Sequence, residues 1–187
     1  NCVANGKILR AGHFDDIWIQ PAAGDAGGAL GVAYAVWHKE LGNDRKVNSK
    51  DSMRGSYLGP KYETPEIETE LQAAGAVFRE FSPKEIISRT AKGLADGKAI
   101  GWFQGRMEFG PRALGGRSIL GDPRSEEMQR TLNLKVKYRE SFRPFAPSVL
   151  RADVAEWFQI DHDSPYMLLV AGVEDKIRRK MSADENA

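Results

Sequence analysis

Gly105-Arg-Met-Glu-Phe-Gly-Pro-Arg-Ala-Leu-Gly-Gly-Arg-Ser118 is the stretch on which the reading of this chain turns. It spreads Arg106, Arg112 and Arg117 along a segment with four glycines and one proline. Pro111 fixes the backbone just before Arg112. Ordering so many glycines is costly in conformational entropy, and loops built at that cost tend to carry function. Arginine offers a planar fork that grips phosphate or carboxylate through paired hydrogen bonds. A second cluster follows in Lys135-Val-Lys-Tyr-Arg-Glu-Ser-Phe-Arg-Pro-Phe145. Lys137, Arg139 and Arg143 could converge with the first cluster on one anion. The same cations could equally form surface salt bridges with Glu108 and Glu140, and at this point both readings stand.

Outward from that stretch, residues 99–103 and 118–120 read as strands, and Asp122-Pro123 as a turn. A helix from about Ser125 carries Met128 and Leu132 on its apolar face. Residues 143–150 read as a strand, 153–158 as a short helix and 166–170 as another strand. Upstream, Thr64-Pro65 is a helix start, and that helix runs to about Ala74, where Gly75 ends it. Residues 76–78 read as a strand. Ser82-Pro-Lys-Glu85 is a capping box opening a helix with Ile86, Ile87 and Leu94, stopped by Gly97. Residues 41–56 are polar and read as an exposed crossing. Before them come a strand at 16–19, a loop at 20–25 and a helix at 27–40. Residues 1–9 read as the inside of a folded element. Strands and helices alternate, which argues an α/β or α+β fold.

The chain has 187 residues, 41% hydrophobic and 28% charged, a composition that fits a globular domain with its own core. No apolar run reaches the roughly 20 residues of a membrane span. A single cysteine, Cys2, excludes an internal disulfide framework and reads as a small buried side chain. With no signal-like start, the expected location is cytoplasmic. The net charge is +1, but it is unevenly spread. Residues 1–100 carry 13 basic and 13 acidic side chains, residues 101–151 carry 10 and 5, and residues 152–187 carry 4 and 8. The Gly/Arg stretch therefore lies in a basic island. The chain opens on Asn1 and closes on a charged run from Lys176, which reads as a piece of a longer protein.

Gly24-Asp-Ala-Gly-Gly-Ala-Leu-Gly31 offers a second motif. Free amides at a helix start favour a phosphate, and glycines let a ligand approach the backbone. Asp25 could hold a metal ion or a ribose hydroxyl. It could also be the N-cap of a helix behind a tight turn, and the residues alone do not decide. His13, His38 and His162 show no paired ligand spacing; His38 reads as a dipole partner at a helix C-terminus.

From Gly101 to Leu120 the chain resembles the signature of the O-carbamoyltransferases, which carbamoylate nodulation factors and antibiotics. The likeness continues through Lys137-Tyr-Arg-Glu-Ser-Phe-Arg-Pro-Phe-Ala-Pro147. Upstream, Asn1-Cys-Val-Ala-Asn-Gly-Lys-Ile8, the Gly24–Gly31 motif and Ser56-Tyr-Leu-Gly-Pro60 share it. The resemblance implies the C-terminal end of an actin/hexokinase-like carbamoyl-transfer domain at 1–45 and a linker at 46–56. Residues 57–187 would then be a YrdC/Sua-like twisted-sheet domain, incomplete at its C-terminus.

The implied chemistry starts from carbamoyl phosphate and ATP, which give carbamoyl-adenylate. The carbamoyl group then passes to a hydroxyl of a small-molecule or oligosaccharide acceptor, such as a nodulation factor or an antibiotic-like sugar. By resemblance, Arg112, Lys137 and Arg143 are the catalytic clamp on carbamoyl phosphate. Arg106, Arg117, Ser118 and Arg139 join the same site. Gly24, Gly27 and Gly28 contact the nucleotide, and Asp25 is a ligand of a divalent metal, iron or magnesium. The family's metal-binding histidines lie upstream of the matched region, so His13 and His38 do not take that role. The chain alone is expected not to turn over. A homodimer is an open possibility, and no membrane is expected. The alternative is a non-catalytic module that grips RNA or another phosphate polymer. Against it, Trp102, Phe103 and Phe145 read as core residues rather than stacking platforms for bases.

Overall fold

Ser82 accepts a hydrogen bond from the Glu85 N–H, and the Glu85 carboxylate accepts from the Ser82 N–H at 3.1 Å. This reciprocal cap starts helix α4, Pro83–Ala95, and Gly97 in the left-handed region closes it. The same logic starts α3, Thr64–Ala73, one residue earlier than the sequence suggests: Glu63 is the cap and donates its N–H to Glu66 at 2.8 Å. Upstream lie α1, Cys2–Ala11, and α2, Asp25–Ala35, which widens into a π-helical turn over Val36–Glu40. Downstream, α5, Met128–Thr131, widens in the same way over Leu132–Val136, and α6 is Val154–Trp157. The computed structural model describes residues 1–47 and 50–179. Residues 48 and 49 of the expected linker, and the charged end 180–187, lie outside them.

Two short antiparallel pairs complete the chain. Strand β1, Ile100–Phe103, pairs with β2, Arg117–Leu120, with Phe103 opposite Arg117. Strand β3, Phe158–Gln159, pairs with β4, Gly172–Val173. Of the two classes the sequence leaves open, the fold is α+β. No helix among the described residues is long and apolar enough to cross a membrane.

Four expected strands are not strands, each for a physical reason. At 16–19 the Ile17 N–H is taken by the Asp16 carboxylate at 2.7 Å, so it is lost to any ladder. At 76–78 no second strand lies alongside, and Val77 is fully exposed. At 143–150, Pro144 and Pro147 lack the N–H that a ladder needs. At 166–170, Met167 is left-handed. There Asn5 and Arg10 of α1 donate to the carbonyls of Leu168 and Val170 at 3.0 and 2.6 Å.

The described residues fall into two compact units, residues 1–19 with 146–179, and residues 20–145. In the second unit α4 packs on β1, with Gly93 against Ile100. Its buried apolar residues are Met128 and Leu132, covered by Gly121. Helix α2 buries none of its residues; Val32, Tyr34 and Trp37 stand exposed along it and its π turn. Cys2, expected to be buried, is half-buried on α1.

Candidate anion-binding site

The β1–β2 hairpin opens at Phe103 and Arg117 into the loop 104–116, and a buried carboxylate fills the middle of that loop. Glu108 is 4% exposed. Its Oε1 accepts the N–H groups of Leu114 and Gly116 at 2.6 and 2.7 Å, and its Oε2 accepts Arg117 Nε at 3.2 Å. Burial works to raise its pKa, but the hydrogen bonds from Leu114, Gly116, its own N–H and Arg117 outweigh burial. They hold the carboxyl below its ordinary value. Arg117 also donates to the carbonyls of Glu108 and Gly110. A Cβ at Gly116 would lie 2.7 Å from the Arg106 carbonyl, so only glycine closes the loop here. The outer wall is Ser56–Pro60. Phe109 N–H donates to Ser56 O, and Gly59 N–H to Met107 O at 2.9 Å. Tyr57 OH donates to Leu114 O at 2.6 Å.

The second basic loop has its own hub. Asn133, fully buried, follows Leu132 in the π turn. Its Nδ2 donates to the carbonyls of Ser141 and Arg143 at 3.0 and 2.8 Å, and its Oδ1 accepts Arg139 Nε at 2.7 Å. Its own carbonyl accepts the Arg139 N–H at 3.0 Å. Gln129 adds donors to the carbonyls of Phe142 and Arg143.

The candidate cations divide into committed and free. Arg117 is tied to Glu108, and Arg106 donates to Gly59 O at 2.8 Å. Arg139 is held by Asn133 and lies over the Phe145 ring at 5.0 Å. Arg143 pairs with Glu140 at 2.8 Å, and its backbone bond and Arg143 lower the Glu140 carboxyl below its usual value. Ser118 Oγ accepts the Gly115 N–H at 3.1 Å. Arg112 and Lys137 are exposed, and neither side chain has a partner among the described residues. Part of the salt-bridge alternative is thus realised, through Glu108 and Glu140, and it leaves one free cation of the proposed clamp on each loop.

Gly110, with φ of 102°, sits so close to Ala22 that a Cβ there would meet the Ala22 Cβ at 2.5 Å. This contact ties the Gly/Arg loop to the turn before α2. The cap of α2 is Gly24, not Asp25; Asp25 lies exposed in the first turn. Gly24 and Gly28 face open space, whereas a Cβ on Gly27 would run into the Ala22 carbonyl at 2.3 Å. Gly27 therefore has a packing reason to be glycine. No group of three or more His, Cys, Asp or Glu among the described residues could hold a metal ion. Asp25 is one carboxylate, so an ion there needs ligands from outside these residues. His38 Nδ1 contacts Asn43 O at 2.8 Å and stacks on Tyr34.

Phe103 is exposed rather than core, and Phe145 is half-buried beneath Arg139. Asn133, Gln129 and Tyr57 are site-forming residues that the sequence alone does not mark as such. A polar residue between Leu132 and Leu134 was the available signal for Asn133, because a polar group beside a core leucine must find partners.

Comparison with known proteins agrees along both parts of the chain. Residues 91–185 match the family model described as Carbamoyltransferase C-terminus, and residues 1–34 that described as Carbamoyltransferase N-terminus. An uncharacterized protein of Synechocystis sp. is 57% identical over 99% of this chain and 30% of its own length. Nodulation protein NolNO of Sinorhizobium fredii is 44% identical over 98% of this chain and 27% of its own length. The 3'-hydroxymethylcephem-O-carbamoyltransferase of Amycolatopsis lactamdurans is 32% identical, covering 94% and 31%. The chain thus spans about three tenths of the length of these curated relatives.

Proposed function

Since the chain belongs to the carbamoyltransferase family, we propose that it supplies the anion-gripping part of an ATP-dependent O-carbamoyltransferase. The single observation that carries this reading is the pair of cations, Arg112 and Lys137, that have no partner among the described residues, each on a loop held from behind by a buried hub. Carbamoyl phosphate and ATP are polyanions, and activating one with the other is mostly charge neutralisation and positioning. Arg112 and Lys137 take the phosphate of carbamoyl phosphate. Arg143 joins them by leaving Glu140. Arg106, Arg117, Arg139 and Ser118 hold the loop geometry. Gly24 and Gly28 present open backbone to the nucleotide at the start of α2, with Gly27 packing that turn. In the YrdC/Sua-like domain carbamoyl phosphate loses its phosphate to water, and an oxygen of the resulting carbamate attacks the α-phosphorus of ATP, so that pyrophosphate leaves and carbamoyl-adenylate forms. The acceptor hydroxyl then attacks the carbamoyl carbon, its proton is lost and AMP leaves. A metal ion held by Asp25 together with ligands from outside the described residues would neutralise phosphate charge there.

Titration calorimetry with carbamoyl phosphate, with and without a non-hydrolysable ATP analogue, tests the reading. Arg112→Ala and Lys137→Ala should each weaken binding about 10- to 100-fold, the worth of a charge-assisted hydrogen bond. Unchanged affinity in both variants overturns the clamp.

One observation favours a second reading, a phosphate-polymer binder. Tyr138 and Phe142 are 86% and 75% exposed within the basic loop, a pattern that suits stacked bases. RNA binding with a steep loss of affinity against log salt supports that reading. Carbamoyl phosphate binding with a shallow salt slope supports the first.

A further inference from the structure

We infer that Asn133 is a positioning residue of the anion site, fixing the loop 137–143 so that Lys137 stands free to meet the ligand. The inference rests on the anion-binding reading above and adds a residue to it. Asn133 is fully buried, yet every hydrogen bond of its side chain goes to that one loop. Its amide donates twice, to Ser141 O and Arg143 O, and its carbonyl side accepts from Arg139. A purely apolar residue would fill the same space beside Leu132 without these bonds. Burial of an amide is costly unless its donors and acceptor are met, and here each is met by the loop. The loop needs such a hub because it cannot hold itself. Tyr138 is left-handed, and Pro144 supplies no N–H. Phe142 and Tyr138 are exposed and give it little apolar anchorage. Asn133 also occupies Arg139, which keeps that guanidinium from competing with Lys137 for the ligand.

The test is a double-mutant cycle on the protein that carries this chain, read by calorimetry with inorganic phosphate and by amide hydrogen exchange. Asn133→Asp keeps the size and the acceptor but can donate to neither carbonyl. It should weaken phosphate binding about tenfold and speed exchange of the Arg139 amide, with α4 exchange unchanged. Combined with Lys137→Ala it should add little, because the residue acts through the lysine. Gln129→Leu is the milder probe should Asn133→Asp fail to fold. Gln129 is exposed, shares the Arg143 carbonyl with Asn133 and also grips that of Phe142, and its loss should weaken binding about two- to threefold. Full additivity of the Asn133 and Lys137 changes overturns the proposal. So does faster exchange in the loop without any loss of affinity. A wild-type protein that binds no phosphate overturns the anion-site reading itself, and Asn133 is then only a structural hub. Binding that Lys137→Ala leaves intact, with Asn133→Asp still harmful, overturns the route through Lys137 while sparing the anion site.

Discussion

At the scale of single residues, Glu108 is the charge on which the Gly/Arg loop depends. Its carboxyl is held below the ordinary glutamate value, so its bonds to Leu114, Gly116 and Arg117 favour the folded state whenever it is ionised. A lowered folded pKa means that this contribution is fully present above the unfolded value, about 4.3, and is lost as pH falls through the folded one. Glu108→Gln removes the charge and turns an amide N–H toward Arg117. The expected cost is about 3 kcal/mol at neutral pH, as for breaking a buried pair. The gap between variant and wild type should shrink on acidification below pH about 4, which urea unfolding across a pH series would show. A gap independent of pH would mean that shape and not charge holds the loop. The anion-binding prediction for Arg112 and Lys137 belongs to this scale too, since each is a single side chain with no partner to lose among the described residues.

At the scale of elements, the β1–β2 hairpin is shaped by what its loop must bring back to the strand ends. Gly116 passes the Arg106 carbonyl so closely that Gly116→Ala forces the backbone to shift. A cost of about 1–3 kcal/mol is expected, together with faster exchange of the Leu114 and Gly116 amides that Glu108 holds. Thermal melting and exchange on the variant measure both; unchanged exchange would place the strain elsewhere. Elements whose signals are local were legible in the sequence. Ser82 with Glu85, Gly97, and the small apolar run after Asp25 each announced a helix from neighbouring residues. The strands at 16–19, 76–78, 143–150 and 166–170 were misread because a strand exists only through its partner. In these segments the partners are side chains, prolines or nothing at all. The two basic clusters were legible as candidates. Which of their cations were already spent on Glu108, Asn133, Glu140 and Gly59 depended on contacts that spacing does not encode. Asn133 itself was hidden because its partners lie on a loop without regular structure.

At the scale of the whole molecule, a small core carries a large polar apparatus. In the unit Gln20–Phe145, Met128 and Leu132 are buried to 6% and 4% exposure, and the next residue after Leu132 is the Asn133 hub. Leu132→Ala should therefore cost about 3 kcal/mol and loosen the basic loop along with the core. Denaturant unfolding gives the first effect and phosphate affinity the second; a loss of stability with undiminished affinity would show that core and site are uncoupled. In the basic island between residues 101 and 151 most arginines are exposed, yet Arg106, Arg117, Arg124, Arg139, Arg143 and Arg151 are each tied to a carbonyl, an amide or a carboxylate of the chain. The hubs share one further property. Asn133 grips the carbonyls of Ser141 and Arg143, and Glu108 grips the N–H groups of Leu114 and Gly116. At Ser141 and Leu114 the grip is blind to which side chain the residue carries, and Phe142 between the anchored carbonyls is held in the same way by Gln129. Mutation can exchange side chains such as those of Ser141 and Phe142, which are exposed, while the loop keeps its course. The scaffold thus separates the inheritance of a shape from the inheritance of a preference, and new ligands can be tried on it at small risk to the fold.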